Sequence, residues 1–154
     1  MTKILFVCHG NICRSTMAEC VFADLAEKAG LGEHFAVDSA ATSTEEIGNP
    51  IYPPAARKLR EKGVPIRPHA ARRMTAADYG AFDLLIGMDE ANRRNMTRIA
   101  GGDGAGKIAL LLDFTDRPGE VSDPWYTRDF ERAYQDIRRG CAALLTALTD
   151  KPAK

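Results

Sequence analysis

Cys8 and Arg14 are separated by His9-Gly10-Asn11-Ile12-Cys13 and followed at once by Ser15. A loop of that length between a strand and a helix curls so that successive backbone N–H groups point inward. They then form a nest for a tetrahedral oxyanion, to which the helix N-terminus adds partial positive charge. The same field favours the thiolate of Cys8, the form that attacks phosphorus. Arg14 supplies a planar fork for two equatorial oxygens of a phosphoryl group, a geometry lysine does not reproduce. A cysteine ending a buried strand is ordinarily a core residue, and a Cys and an Arg at this spacing also recur by chance. The chemical reading rests on the combination: strand before, glycine inside, helix after and Ser15 adjoining.

Such a site needs a strand to deliver Cys8 and a helix to receive Arg14. Ile4 to Cys8 is a continuous apolar run of β-friendly residues, which predicts a strand buried on both faces. From Arg14 onward, Met17, Val21, Phe22, Leu25, Ala26 and Ala29 recur three and four apart and Gly30 stops them, which predicts an amphipathic helix. Strand, short loop and helix together open a βαβ crossover. The alternation continues with a strand over Phe35 to Ala40, a helix over Pro53 to Lys62 closed by Gly63, and a strand over Leu84 to Met88. A helix over Asp89 to Ile99 and a strand over Ile108 to Phe114 follow. The last helix is expected to begin near Thr127 and to carry Phe130, Tyr134, Ile137, Cys141, Leu144, Leu145 and Leu148 as its packed stripe. Thr42 to Pro54, Arg117 to Tyr126 and the glycine-rich Gly101 to Gly106 read as irregular. In an open parallel sheet, ligands bind outside the carboxyl ends of the strands, which places a site at the loop after Cys8.

The 154 residues suit one domain, residues 1–154, and no repeat or interdomain linker interrupts them. Lys plus Arg and Asp plus Glu are both 21, so no electrostatic surplus is available to hold a polyanion, and nucleic acid is not an expected partner. Hydrophobic residues at 45% and charged residues at 27% exclude the composition of a disordered chain. The apolar run Ile4-Leu5-Phe6-Val7-Cys8 is too short for a signal-peptide core or a membrane span, which predicts a cytoplasmic protein without membrane contact. Cys8, Cys13, Cys20 and Cys141 include no CxxC pair and only three histidines accompany them, so free thiols and no metal are expected.

Val7-Cys8-His9-Gly10-Asn11-Ile12-Cys13-Arg14-Ser15, with Met17-Ala18-Glu19 after it, resembles the signature loop of the low-molecular-weight protein tyrosine phosphatases. The resemblance runs on through Asp38-Ser39-Ala40 with Thr42-Ser43, His69-Ala70-Ala71-Arg72, Phe82-Asp83, Met88-Asp89 with Asn92, and Asp123-Pro124-Trp125-Tyr126. It implies a flavodoxin-like α/β fold, a four-stranded parallel sheet flanked by helices. It also implies hydrolysis of phosphotyrosine in proteins or peptides through a phosphocysteine intermediate, releasing inorganic phosphate without a metal or organic cofactor.

Carried over residue by residue, the resemblance makes Cys8 the nucleophile, Arg14 the phosphate clamp, and Asp123 the general acid for the leaving phenolate and then the base for water. The chemistry asks for that acid independently, because tyrosine leaves with a pKa near 10. Asp-Pro in a loop is often only a turn, but Trp125 and Tyr126 add flat apolar surface against which an aryl ring fits. Asn11, Ser15, Ser39 and His69 match a buried polar network behind the loop, each alternatively a cap or turn residue. Asp89 either caps a helix or orients Arg14. Cys13 is either a packing thiol or, as the resemblance implies, the partner that traps oxidised Cys8 as a reversible disulfide.

His9 stands where the family commonly has leucine, and Thr16 where it has proline. His9 then lines the pocket wall, as a titratable charge or merely a flat side chain. Glu45-Glu46 replace an aromatic residue and a histidine, and Tyr52 an acidic one, changes that bear on substrate preference. The glutamates either border the pocket mouth or point into water. Three rivals are weaker. Arsenate reductases of this fold need further cysteines around the third strand, and Leu84 to Arg98 contains none. Protein-arginine phosphatases carry threonine where Ile12 stands, and a noncatalytic phosphopeptide-binding module is free to lose Cys8 or Asp123.

Overall fold

The computed structural model describes residues 1–149. Strand β1 (Thr2–Cys8) has Ile4, Leu5, Phe6 and Val7 fully buried, because both faces of the sheet are covered. Its even-numbered residues Ile4, Phe6 and Cys8 enter one core and Leu5 and Val7 the other, the period-two alternation of a pleated strand. Helix α1 (Arg14–Lys28) follows, then β2 (Phe35–Ala41), α2 (Pro53–Glu61), α3 (Ala76–Ala81), β3 (Leu84–Gly87), α4 (Glu90–Ala100) and β4 (Ile108–Leu110). A single-turn helix, α5 (Pro124–Thr127), and the long α6 (Phe130–Thr149) complete the described chain.

The four strands form one parallel sheet in the order β2-β1-β3-β4, with helices on both sides, as the flavodoxin-like expectation requires. Residues of α1, α2 and α6 build the larger core, while Met96 of α4 and Met74 pack on the opposite face with Tyr79 of α3 beside them. Because β1 lies between β2 and β3, the chain leaves its carboxyl end in one direction and that of β3 in the other, which opens a crevice at the switch point. Cys8 ends β1 on that rim and Met88-Asp89 follows β3 beside it.

Three expectations are corrected. The apolar run from Ile108 to Phe114 is not one strand: β4 ends at Leu110 and a 3-10 turn covers Leu111–Phe114. The Asp113 carboxylate accepts from the Leu110 N–H at 3.0 Å, and this turn packs so closely on α6 that a Cβ at Gly140 would lie 2.5 Å from Leu111 Cγ. The last helix does not begin near Thr127. Arg128 is left-handed (φ 60°) and ends α5, and Asp129 caps α6 through the Arg132 N–H at 2.9 Å. The third correction is an addition, α3, opened by reciprocal bonds between Thr75 and Asp78.

Candidate active site

The loop from His9 to Cys13 is held by its carbonyls. Cys8 O accepts from Thr42 N (3.0 Å), His9 O from Ser43 N (3.1 Å) and Ser43 Oγ (2.9 Å), and Ile12 O from Tyr52 N (2.9 Å). Asn11 O accepts from Thr16 Oγ1 (3.1 Å) and lies 2.5 Å from His69 Nε2, a contact that requires the proton on that nitrogen. With these oxygens turned outward, none of the N–H groups from His9 through Arg14 donates to a protein acceptor among the described residues. The loop therefore presents a concave row of amide donors at the start of α1, the geometry of an oxyanion nest.

Asn11 takes the left-handed conformation (φ 59°), which asparagine tolerates better than most residues. Its side chain fixes it there: Nδ2 donates to Ser15 Oγ at 2.9 Å, and Oδ1 accepts from Arg72 N at 3.2 Å. Ser15 Oγ then lies 3.1 Å from Cys8 Sγ, and against a thiolate the hydroxyl is the donor. Ser39, within β2 opposite Phe6, is buried but makes no hydrogen bond to the loop. Its hydroxyl donates to Glu19 on α1 at 2.6 Å, which corrects its expected place in the network.

Arg14 is 3% exposed at the first position of α1. Its Nη1 donates to Asp89 Oδ2 (2.8 Å) and to Val121 O (3.0 Å), and Nη2 reaches Asp123 Oδ2 at 3.4 Å. Burial opposes the charge, but Cys8, Asp123 and Asp89 together outweigh it and hold the guanidinium above its ordinary range. Asp89 makes both contacts: Oδ1 caps α4 through Asn92 N (2.8 Å), and Oδ2 accepts from Arg14 Nη1. Asp123 likewise caps α5, its Oδ1 accepting from Trp125 N at 3.0 Å while Oδ2 turns toward Arg14.

Over this floor lies a cavity of about 170 Å³, lined by Cys8, His9, Gly10, Ile12, Cys13, Arg14 and Asp123, with Glu45, Glu46, Trp125 and Tyr126 around it. Asn11 and Ser15 sit behind the loop, fully buried. Among the described residues, no three His, Cys, Asp or Glu side chains are grouped to hold a metal ion. The profile of the family described as low molecular weight phosphotyrosine protein phosphatase matches residues 3–154. The chain belongs to this family. Among curated members it is 39% identical over 150 residues to the low molecular weight protein-tyrosine-phosphatase YfkJ of Bacillus subtilis, covering 96% of both chains. It is 40% identical to the low molecular weight phosphotyrosine protein phosphatase of Homo sapiens over 93% of both. The crystal structure of YfkJ superposes with a TM-score of 0.94 over 97% of this chain and 96% of that one.

Against the pattern of this phosphatase family, the departures now have positions. His9 Nε2 lies 3.1 Å from Glu45 Oε2, so the two substitutions are partners across the pocket wall. Glu46 accepts from Asn49 Nδ2 at 2.5 Å and lines the cavity beside Gly10. Thr16 bridges Asn11 O and His69, 3.2 Å from its Nε2, a use of that hydroxyl the sequence did not announce. The sequence singles out Thr42, Ser43 and Tyr52 without showing that their backbone N–H groups hold the loop, and it misses Val121, which reaches Arg14 through its carbonyl. Cys13 is buried, and that burial, then the charges of Cys8 and Asp123, push its thiol up to about 12.

Proposed function

We propose that this phosphatase hydrolyses phosphotyrosine in proteins or peptides by transferring the phosphoryl group to Cys8 and then to water. The observation that carries this reading is the ring of unpartnered amides around Cys8, closed by Arg14 and faced by Asp123. Cys8 Sγ attacks phosphorus, the equatorial oxygens lie on the loop amides and the Arg14 fork, and the P–O bond to the phenol breaks as Asp123 delivers its proton. Asp123 then accepts a proton from the water that attacks phosphorus, the S–P bond breaks and inorganic phosphate leaves. The test is a rapid-mixing assay with p-nitrophenyl phosphate. A burst of one p-nitrophenol per enzyme, followed by slower turnover, is the expected result; linear release from the first turnover together with no phosphoryl transfer to an added alcohol contradicts it.

The same geometry sets two further expectations. Mild peroxide oxidises the Cys8 thiolate to a sulfenic acid, and the Cys13 sulfur then displaces water from it to close a disulfide that thiol reductant reopens. Inorganic phosphate protects by occupying the loop. Because Cys13 is held as a thiol up to about 12, the closing step should speed up as pH rises from neutral. Cys13→Ser is expected to keep initial activity but to recover poorly after peroxide. Mass spectrometry that finds Cys8 joined to Cys20 or Cys141, or no disulfide, excludes the mechanism.

Glu45 and Glu46 border the cavity, so a phosphotyrosyl peptide with acidic flanks meets like charge there, worth about 0.2–1 kcal/mol per exposed pair and weakened by salt. Peptides with Lys or Arg flanks should therefore have the higher kcat/KM at low salt. The preference should shrink in the Glu45→Gln/Glu46→Gln double variant. Equal values for matched acidic and basic peptides at low salt contradict it.

A further inference from the structure

We propose that Tyr52 and Arg128 form a clamp that positions the acid Asp123, a reading that rests on Asp123 being the general acid. The clamp begins with the break between α5 and α6. Arg128 takes a left-handed conformation that is unfavourable for an arginine, and its N–H donates to Pro124 O at 2.9 Å. That turn folds its side chain back over α5. The guanidinium carbon lies 5.8 Å from the centre of the Trp125 ring, and Nη1 donates to the Tyr52 hydroxyl at 3.2 Å. Tyr52 comes from the other wall, at the entry to α2, and its ring packs against Trp125 at 4.9 Å and Phe130 at 6.2 Å. Tyr52 also gives its backbone N–H to Ile12 O in the phosphate-binding loop.

These contacts lead to one bond. The Trp125 N–H donates to Asp123 Oδ1 at 3.0 Å and so sets the rotation of the carboxylate, leaving Oδ2 on the Arg14 side of the cavity. With Trp125 held between Tyr52 and Arg128, the N–H that aims Asp123 is tied to the same loop that holds the phosphoryl group. Neither side chain touches the reacting atoms; both are positioning residues. The left-handed turn at Arg128 ends α5 and in the same step returns the guanidinium over Trp125 and to the Tyr52 hydroxyl.

The experiment compares kcat/KM on phosphotyrosine and on an aryl phosphate with a strongly acidic phenol, since only the former needs its leaving group protonated. Tyr52→Phe keeps the ring and removes the hydroxyl; Arg128→Asn relieves the backbone and removes the guanidinium. Each is expected to lower kcat/KM on phosphotyrosine about three- to ten-fold, the loss of one hydrogen bond expressed in rate, with thermal stability of Arg128→Asn unchanged or raised. On the acidic phenol the change should be under about two-fold. The double variant should be no worse than the poorer single one, and neither substitution should cost anything further in an Asp123→Asn background. Equal losses on both substrates, or no loss on either, overturn the clamp while leaving the role of Asp123 intact. An Asp123→Asn enzyme with undiminished activity on phosphotyrosine overturns the general-acid reading itself, and the clamp with it.

Discussion

Cys8→Ser is expected to lower kcat/KM on aryl phosphates by on the order of 10³-fold or more while leaving the fold and inorganic phosphate binding in place. The substitution removes the attacking sulfur, but the amides from His9 to Arg14 and the Arg14 fork remain to hold the anion. Arg14→Ala should cost on the order of 10³-fold as well, for a different reason. It leaves the developing charge of the transferring phosphoryl group unclamped, and it leaves Asp89 and Asp123 facing each other without the cation that now lies 2.8 and 3.4 Å from them. The two variants should therefore separate in a binding measurement: titration with inorganic phosphate should saturate in Cys8→Ser and fail in Arg14→Ala. Arg14→Lys restores charge without the fork and should recover only a small part of the rate. Measurable turnover by Cys8→Ser at a tenth of the native rate excludes sulfur as the nucleophile.

Asp123→Asn should lower kcat/KM on phosphotyrosine by roughly 10²–10⁴-fold and by much less on substrates whose phenol is already acidic. The amide keeps the shape of the side chain and still accepts from the Trp125 N–H, so α5 retains its cap. What is lost is the proton at the Oδ2 position. Full activity of Asp123→Asn on phosphotyrosine moves the acid to another residue.

The loop from Cys8 to Ser15 was legible because everything it needs is contiguous: an apolar strand, a five-residue turn and a 3.6-period helix. Arg14 and Asp123 were legible as residue types, but the distance between them was not. It depends on Val121 O and Asp89, which reach Arg14 from 107 and 75 residues away. That Thr42, Ser43 and Tyr52 hold the loop through their N–H groups left no trace in the sequence, since any non-proline residue carries the same N–H. Ser39 was misplaced because a buried serine at the end of a strand has several acceptors within reach, and the burial of Glu19 on α1 decides which one it takes. The two misread elements share a cause. In each an aspartate sets the boundary: Asp113 accepts from the Leu110 N–H where β4 ends, and Asp129 rather than Thr127 caps α6.

The rim was the least legible part. That His9 and Glu45 are partners, and that Tyr52 and Arg128 meet over Trp125, follows only from the packing of the Thr42 to Pro54 loop against the phosphate-binding loop and α5. His9 and Glu45 line the cavity itself, whereas Tyr52 and Arg128 meet beside it over Trp125.

The most direct test of the account is to quench the enzyme in acid during turnover of a phosphotyrosyl peptide, digest it and locate the phosphoryl group by mass spectrometry. Phosphate is expected on the peptide carrying Cys8, bonded to sulfur, present in the native enzyme and absent from Cys8→Ser. Phosphate on any other residue, or steady turnover with no phosphorylated enzyme at any quench time, contradicts it.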